Sequence, residues 1–148
     1  MVSGVIKNVC FEGGGYAILP GDGEIKVENC TFTTKNHAIY FEKERDNLTV
    51  TDCTFNQDTY AILLRGDVKF TNNIINKGKV NVVSGSPVVT GNNFNDVRFK
   101  VYGAATATIS NNTINNLEFD GTTYASTFTN NTLSAEAQAA LDAANKVN

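Results

Sequence analysis

VENCTF at Val27–Phe32 is the stretch that decides the fold, because the same phrase returns along the whole chain. It reads apolar, any, Asn-like, Asn or Cys, any, apolar. Further copies are VTDCTF at Val50–Phe55, FTNNII at Phe70–Ile75, VTGNNF at Val89–Phe94, ISNNTI at Ile109–Ile114 and FTNNTL at Phe128–Leu133. A degenerate first copy, IKNVCF, starts at Ile6. The phrase recurs every 19 to 23 residues, and a fixed period of that size is the mark of a solenoid, whose repeats bury their apolar faces only against one another.

Each period holds two alternating stretches and a tight turn. The first stretch includes Ile25-Lys26-Val27, Leu48-Thr49-Val50, Val68-Lys69-Phe70, Ala107-Thr108-Ile109 and Ser126-Thr127-Phe128. Alternation with period two marks a half-buried strand. The Asn-rich turn follows, and one apolar residue (Phe32, Phe55, Ile75, Phe94, Ile114 or Leu133) re-enters the core. About seven residues later comes the second stretch, as in Tyr16-Ala17-Ile18, His37-Ala38-Ile39 and Tyr60-Ala61-Ile62. Read with strict alternation, Ile18, Ile39, Ile62, Val82, Val101 and Phe119 point inward at equivalent places.

Three short strands per coil, each parallel to its counterpart in the next, predict an all-β fold: a parallel β-helix of about seven coils, roughly 34 Å long. Asn at the turn has a physical reason, since an inward amide can bond the turn backbone and its own copies in adjacent coils. Asn73, Asn92, Asn112 and Asn131 are expected to form that ladder, passing into Cys53 and Cys30 towards the N-terminus. These asparagines read as structure, not as ligand groups. Cys30 and Cys53 read as buried small apolar groups and Cys10, offset by one place, as an exposed thiol; three cysteines make no disulfide framework.

These residues carry a resemblance. The sequence resembles the right-handed parallel β-helices of the pectin lyase-like superfamily over about residues 4–133. Leucine-rich repeats share the core of Leu48-x-Val50-x-x-Cys53-x-Phe55, but they need an apolar residue where this chain has Asp22, Arg45, Arg65 and Ala104. After Leu133, Ser134 is a helix N-cap and an Ala-rich amphipathic helix over about residues 134–146 is expected to close the last coil. No equivalent cap precedes the first coil. The whole chain, 1–148, reads as one domain and as a module of a larger protein, or one that meets a second copy end to end through the open edge.

Composition excludes several function classes. The formal charge is −3 with no Lys/Arg cluster, so no nucleic-acid partner is expected. No apolar run is long enough for membrane insertion, and the start lacks the basic-then-apolar order of a signal peptide. Either the chain is exported by another route, belongs to a virion, or is a piece of a longer chain; the resemblance to β-helix proteins makes an extracellular, cell-surface or virion setting the expectation.

Chemistry was sought on the outward positions of the second strand. Leu19, Tyr40, Leu63, Val83 and Tyr102 read as an outward apolar stripe, an expected binding surface for a subunit, a flanking domain or sugar rings. Arg98, Lys100, Glu118 and Asp120, near the C-terminal end, are the candidate catalytic residues. Lys100 beside Glu118 reads first as a cross-strand ion pair and second as a base with its partner. His37 reads as a partly buried stack member between Tyr16 and Tyr60.

The resemblance to tailspike, adhesin and glycan-processing β-helices implies recognition of carbohydrate or a partner protein by a non-catalytic rod. The alternatives are a small or truncated polysaccharide lyase or glycoside hydrolase, and a purely structural assembly element. A homo-oligomer would use the N-terminal end or the stripe. No cofactor or metal is expected, with Ca²⁺ entering only under the lyase alternative.

Overall fold

The computed structural model describes residues 3–147. Two seven-stranded parallel sheets wind around one core, and six turns separate their first and last rungs. Sheet A stacks the first alternating stretches in coil order, Gly4–Lys7, Ile25–Glu28, Leu48–Thr51, Lys69–Thr71, Val88–Thr90, Thr108–Ser110 and Thr127–Thr129. Sheet B begins at each re-entry residue with Cys10–Gly13, Thr31–Thr34, Thr54–Arg65, Ile74–Ser84, Asn93–Tyr102, Thr113–Asp120 and Thr132–Leu133. The expected third strand is not separate. In coils three to six the re-entry strand runs through a corner into the second alternating stretch, while in coils one and two only single bridges, Ile18 with Ile39 and Ile39 with Ile62, mark it.

The turn between the sheets works because of one residue type. Asn8, Asn29, Asp52, Asn72, Asn111 and Asn130 all sit at φ between 48° and 59°, and Gly91 takes the same place at 72°. Asn, Asp and Gly enter this left-handed region at the least cost. The next side chain then points inward, and there the amides form the ladder.

Asn73 N–H donates to Asn92 Oδ1 at 2.9 Å, Asn92 N–H to Asn112 Oδ1 at 2.9 Å and Asn112 N–H to Asn131 Oδ1 at 3.0 Å. Each of these amides also donates back to a carbonyl of the preceding coil: Asn73 to Val50, Asn92 to Phe70, Asn112 to Val89 and Asn131 to Ile109. Four buried groups per coil are thereby satisfied by one side chain. At the lower end Cys53 N–H donates to Asn73 Oδ1 at 2.9 Å, and Cys30 N–H reaches Cys53 Sγ at 3.5 Å. Burial pushes the Cys53 thiol up to about 12. Cys10 is exposed.

The core beside the ladder is an aromatic column. Phe11, Phe32 and Phe55 stack with centroids 5.1 and 4.8 Å apart and nearly parallel rings. Above them Phe70, Phe94, Ile75, Ile109 and Ile114 are fully buried. Offset stacking adds about 0.5–1.5 kcal/mol per pair beyond area burial. The helix Ala135–Asn145 closes the top, with Ser134 Oγ accepting the Ala137 N–H at 3.0 Å and Ala137 fully buried.

Two expectations about the second stretch fail. Ala38 and Ala61 are fully buried beside Ile39 and Ile62, and Ala17 is half-buried, so Tyr16, His37 and Tyr60 are the residues that face out. Before Ile62 a bulge turns two successive side chains inward, since Tyr60 and Ile62 stand against the consecutive Lys79 and Val80. The alignment also slips by two residues. Ile62 pairs with Val80 and Leu64 with Val82, because coil three spends six residues between Phe55 and Ile62 where coil four spends four between Ile75 and Val80.

Candidate functional site

That slip dissolves the predicted apolar stripe as a single row. Leu63 lies beside Asn81, which in turn lies beside Lys100, whereas Tyr102 lies beside Asp120. Val83 falls at the irregularity between the Leu64–Val82 and Arg65–Ser84 pairs. Leu19 is 65% exposed, and Tyr40 leans over Tyr16 with ring centroids 4.7 Å apart. The outer face of sheet B is instead chemically graded along the axis.

Its lower third is aromatic. Tyr16, His37 and Tyr60 succeed one another up the coils, with Tyr16 to His37 at 5.8 Å and His37 to Tyr60 at 5.0 Å and nearly parallel. Tyr40 adds an edge contact to His37 at 5.2 Å. Burial in this stack, then the charge of Arg65, holds the His37 imidazole below its ordinary value and so neutral. Tyr40 donates its hydroxyl to Glu42 at 3.0 Å, which pushes its own ionisation up.

Its middle is basic. Lys79 Nζ lies 5.5 Å from the Tyr60 ring centroid, and Arg98 Nη2 donates to Tyr60 Oη at 3.1 Å. Lys100 Nζ lies 5.2 Å from the Tyr102 ring centroid. Asn81 is buried between these groups, donates weakly to Tyr102 Oη at 3.5 Å, and its Oδ1 has no hydrogen-bond partner among the described residues.

Its upper end brings together all four candidate catalytic residues. Lys100 Nζ is 3.2 Å from Asp120 Oδ1 and 3.5 Å from Glu118 Oε1, and Arg98 Nε is 3.8 Å from Glu118 Oε2. Register makes this contact, since Lys100 pairs with Glu118 and Tyr102 with Asp120. The hydrogen bond to Asp120 holds the Lys100 ammonium above its ordinary range. So held, the ammonium can donate to a carboxylate or a hydroxyl.

A groove runs beside the face where sheet B bends. Over coils three to five it encloses about 300 Å³ between Asn76 and Asn95 on one side and Lys79 and Arg98 on the other, with Gln57 and Val97 buried beneath. A hollow of about 420 Å³ lined by Asp96, Asn115, Asn116, Leu117 and Glu136 continues the same corner upward. Asp58 meets Lys77 on the rim, and that contact holds its carboxyl below the usual range. A third hollow, about 450 Å³, lies under the C-terminal helix. Its Ala140, Ala143 and Ala144 are too short to fill the space over Phe119, and it lacks the groove's two opposed polar walls.

Sequence reasoning found the charged quartet and His37 but missed the groove. The signal was present, because an Asn follows the re-entry residue in four successive repeats: Phe55-Asn56, Ile75-Asn76, Phe94-Asn95 and Ile114-Asn115. Gln57, fully buried, was also missed; it accepts from Thr34 N–H at 3.0 Å and donates to Asn36 O at 2.6 Å, tying two corners together. Among the described residues no group of three His, Cys, Asp or Glu side chains is placed to hold a metal, and no helix is long and apolar enough to cross a membrane.

The family model described as right handed beta helix region matches residues 2–138. No curated protein and no solved structure matches the chain.

Proposed function

We propose a function from one premise: the chain belongs to the right-handed β-helix family. It is a non-catalytic, rod-like recognition module that binds carbohydrate along the outer face of sheet B, at a cell or virion surface. The observation that supports this most is the graded face, in which exposed Tyr16 and half-buried Tyr40, His37 and Tyr60 lead into Lys79, Arg98 and Lys100. Aromatic faces stack on sugar rings, and the polar groups beside them fix hydroxyls. Rigid aromatic anchors lose little entropy on binding, which suits a preformed surface.

A glycan array followed by titration calorimetry tests the reading. Tyr16→Ala with Tyr40→Ala should weaken binding at least about tenfold, as expected for truncated aromatic hot spots worth more than ~1.4 kcal/mol. Unchanged affinity in that variant, or no glycan bound at all, would count against it. A change in solution mass for the same variant would favour a partner-protein or assembly surface instead.

One observation favours a second, glycan-cleaving reading, namely Glu118 and Asp120 converging on Lys100. Under that reading Asp120→Asn and Lys100→Ala abolish turnover of a polysaccharide while the circular dichroism spectrum is unchanged. Turnover that survives both substitutions excludes these residues.

A further inference from the structure

The groove repeats from coil to coil over coils three to five. One wall carries Asn56, Asn76, Asn95 and Asn115, each next to a re-entry residue, and those residues are in register: Phe55 with Ile75, Ile75 with Phe94, Phe94 with Ile114. Across the corner stand Tyr60, Lys79 and Arg98 on coils three to five, whereas in coil six Asn115 and Asn116 are sequence neighbours with no corner between them. Asn76 Nδ2 donates to Asn56 Oδ1 at 3.2 Å, and Asn95 Nδ2 donates to Asn76 Oδ1 at 2.7 Å. An amide has two N–H donors and two acceptor lone pairs. Exposed Asn76 and Asn95 therefore each retain an N–H and a lone pair directed at solvent. The same pair of walls is offered at both strand-to-strand steps between coils three and five, each of about 4.8 Å.

The spacing selects among polymers. An extended peptide advances about 3.3 Å per residue, with side chains repeating at twice that, and neither distance matches the step. A polyanion would meet Asp58, Asp96 and Glu136 interspersed with Lys77, Lys79 and Arg98 along the same corner, a mixed lining with no continuous cationic track. A chain of hydroxyls, which both donate and accept, satisfies amides on one wall and donors on the other without adding charge. Resting on the glycan reading above, we infer that the groove takes an extended β-(1→4)-linked pyranose chain parallel to the solenoid axis, with one sugar residue per coil. Such a chain is straight, and each residue advances by close to one coil. The α-(1→4) chain of the same sugar curls and loses step after the first residue or two.

The experiment is calorimetric titration of the intact chain with cello-, manno- and chito-oligosaccharides of two to six residues, set against the malto- series. In the best-bound β-(1→4) series, affinity should rise with each residue up to about three, one for each of coils three to five, and then level off. The malto-oligosaccharide of equal length should bind about tenfold or more weaker. Asn76→Ala with Asn95→Ala, both exposed positions, should erase that preference with the circular dichroism spectrum unchanged. Equal binding of the α- and β-linked series, affinity indifferent to length, or a preference that survives the double substitution overturns the one-sugar-per-coil register and leaves the glycan reading standing. Binding confined to glycans outside the β-(1→4) series does the same. Failure of every glycan to bind overturns both.

Discussion

Truncating Asn92 to Ala in the middle of the ladder should cost more than its size implies. Asn92 Oδ1 accepts the Asn73 backbone N–H at 2.9 Å, and its Nδ2 donates to Phe70 O at 2.9 Å and Asn112 Oδ1 at 3.0 Å. The residue is 2% exposed, so water does not replace these partners. A buried N–H left without an acceptor costs about 1–3 kcal/mol, and each further bond lost adds about 0.5–1.5 kcal/mol. The expected destabilisation is about 3 kcal/mol. Cys53→Ala, at the same repeat position, is the internal comparison. The Cys53 thiol holds its neighbours at 3.5 Å from Cys30 N and 3.6 Å from Val27 O, so its removal should cost about 1 kcal/mol.

The assay is urea unfolding followed by circular dichroism and by tyrosine fluorescence, since the chain has five Tyr and no Trp. Coincident transitions license conversion of the midpoints to free energies. The reasoning fails if Asn92→Ala costs under about 1 kcal/mol, or no more than Cys53→Ala.

Further outcomes follow from the same geometry. Cys53→Asn should leave stability unchanged or raise it by up to about 1 kcal/mol, because an amide there can accept the Cys30 N–H and donate to Val27 O as Asn73 does to Val50; a loss beyond that range on urea unfolding would contradict the ladder's interchangeability. With a thiol-reactive dye at pH 8, exposed Cys10 should react at once, whereas buried Cys30 and Cys53 should react only after denaturation. Two fast thiols in the native chain would refute the packing. The depressed His37 value means the unfolded state binds its proton first, so the stability it contributes is present above about pH 6.5 and is lost as pH falls through the folded value. Thermal melts between pH 7.5 and 5.5 should show that slope in the native sequence and a shallower one in His37→Phe; parallel slopes would remove His37 as the cause.

The fold was legible because its punctuation is periodic. Each Asn or Asp at the left-handed position and each amide or thiol after it is dictated by local backbone geometry, and so recurs at a fixed place in the repeated phrase. The outer face was less legible because a bulge costs only one residue and reverses every side chain beyond it. Tyr16-Ala17-Ile18 looks like strict alternation, yet the small Ala lies inward with the Ile, and the large aromatic is expelled to the surface. Nor does a sequence count show where slack is absorbed. The two extra residues before Ile62 move Leu63 beside Asn81, and thereby separate it from Val83 and Tyr102. The ion cluster was found because Lys100 and Glu118 are separated by one undistorted step of the register.

The amide ladder also makes the molecule's length an integer. Gly91 and Asn111 share the same left-handed conformation and stand before Asn92 and Asn112, which make the same bonds. Excising residues 92 to 111 would join Gly91 directly to Asn112, bring Asn112 against Asn73, and leave no ladder bond unmade. Duplicating the same segment would lengthen the rod by one unit. Whole coils can thus be gained or lost with neither a new turn nor a new core to invent, while a slack of one or two residues is taken up at the corner, as it is before Ile62.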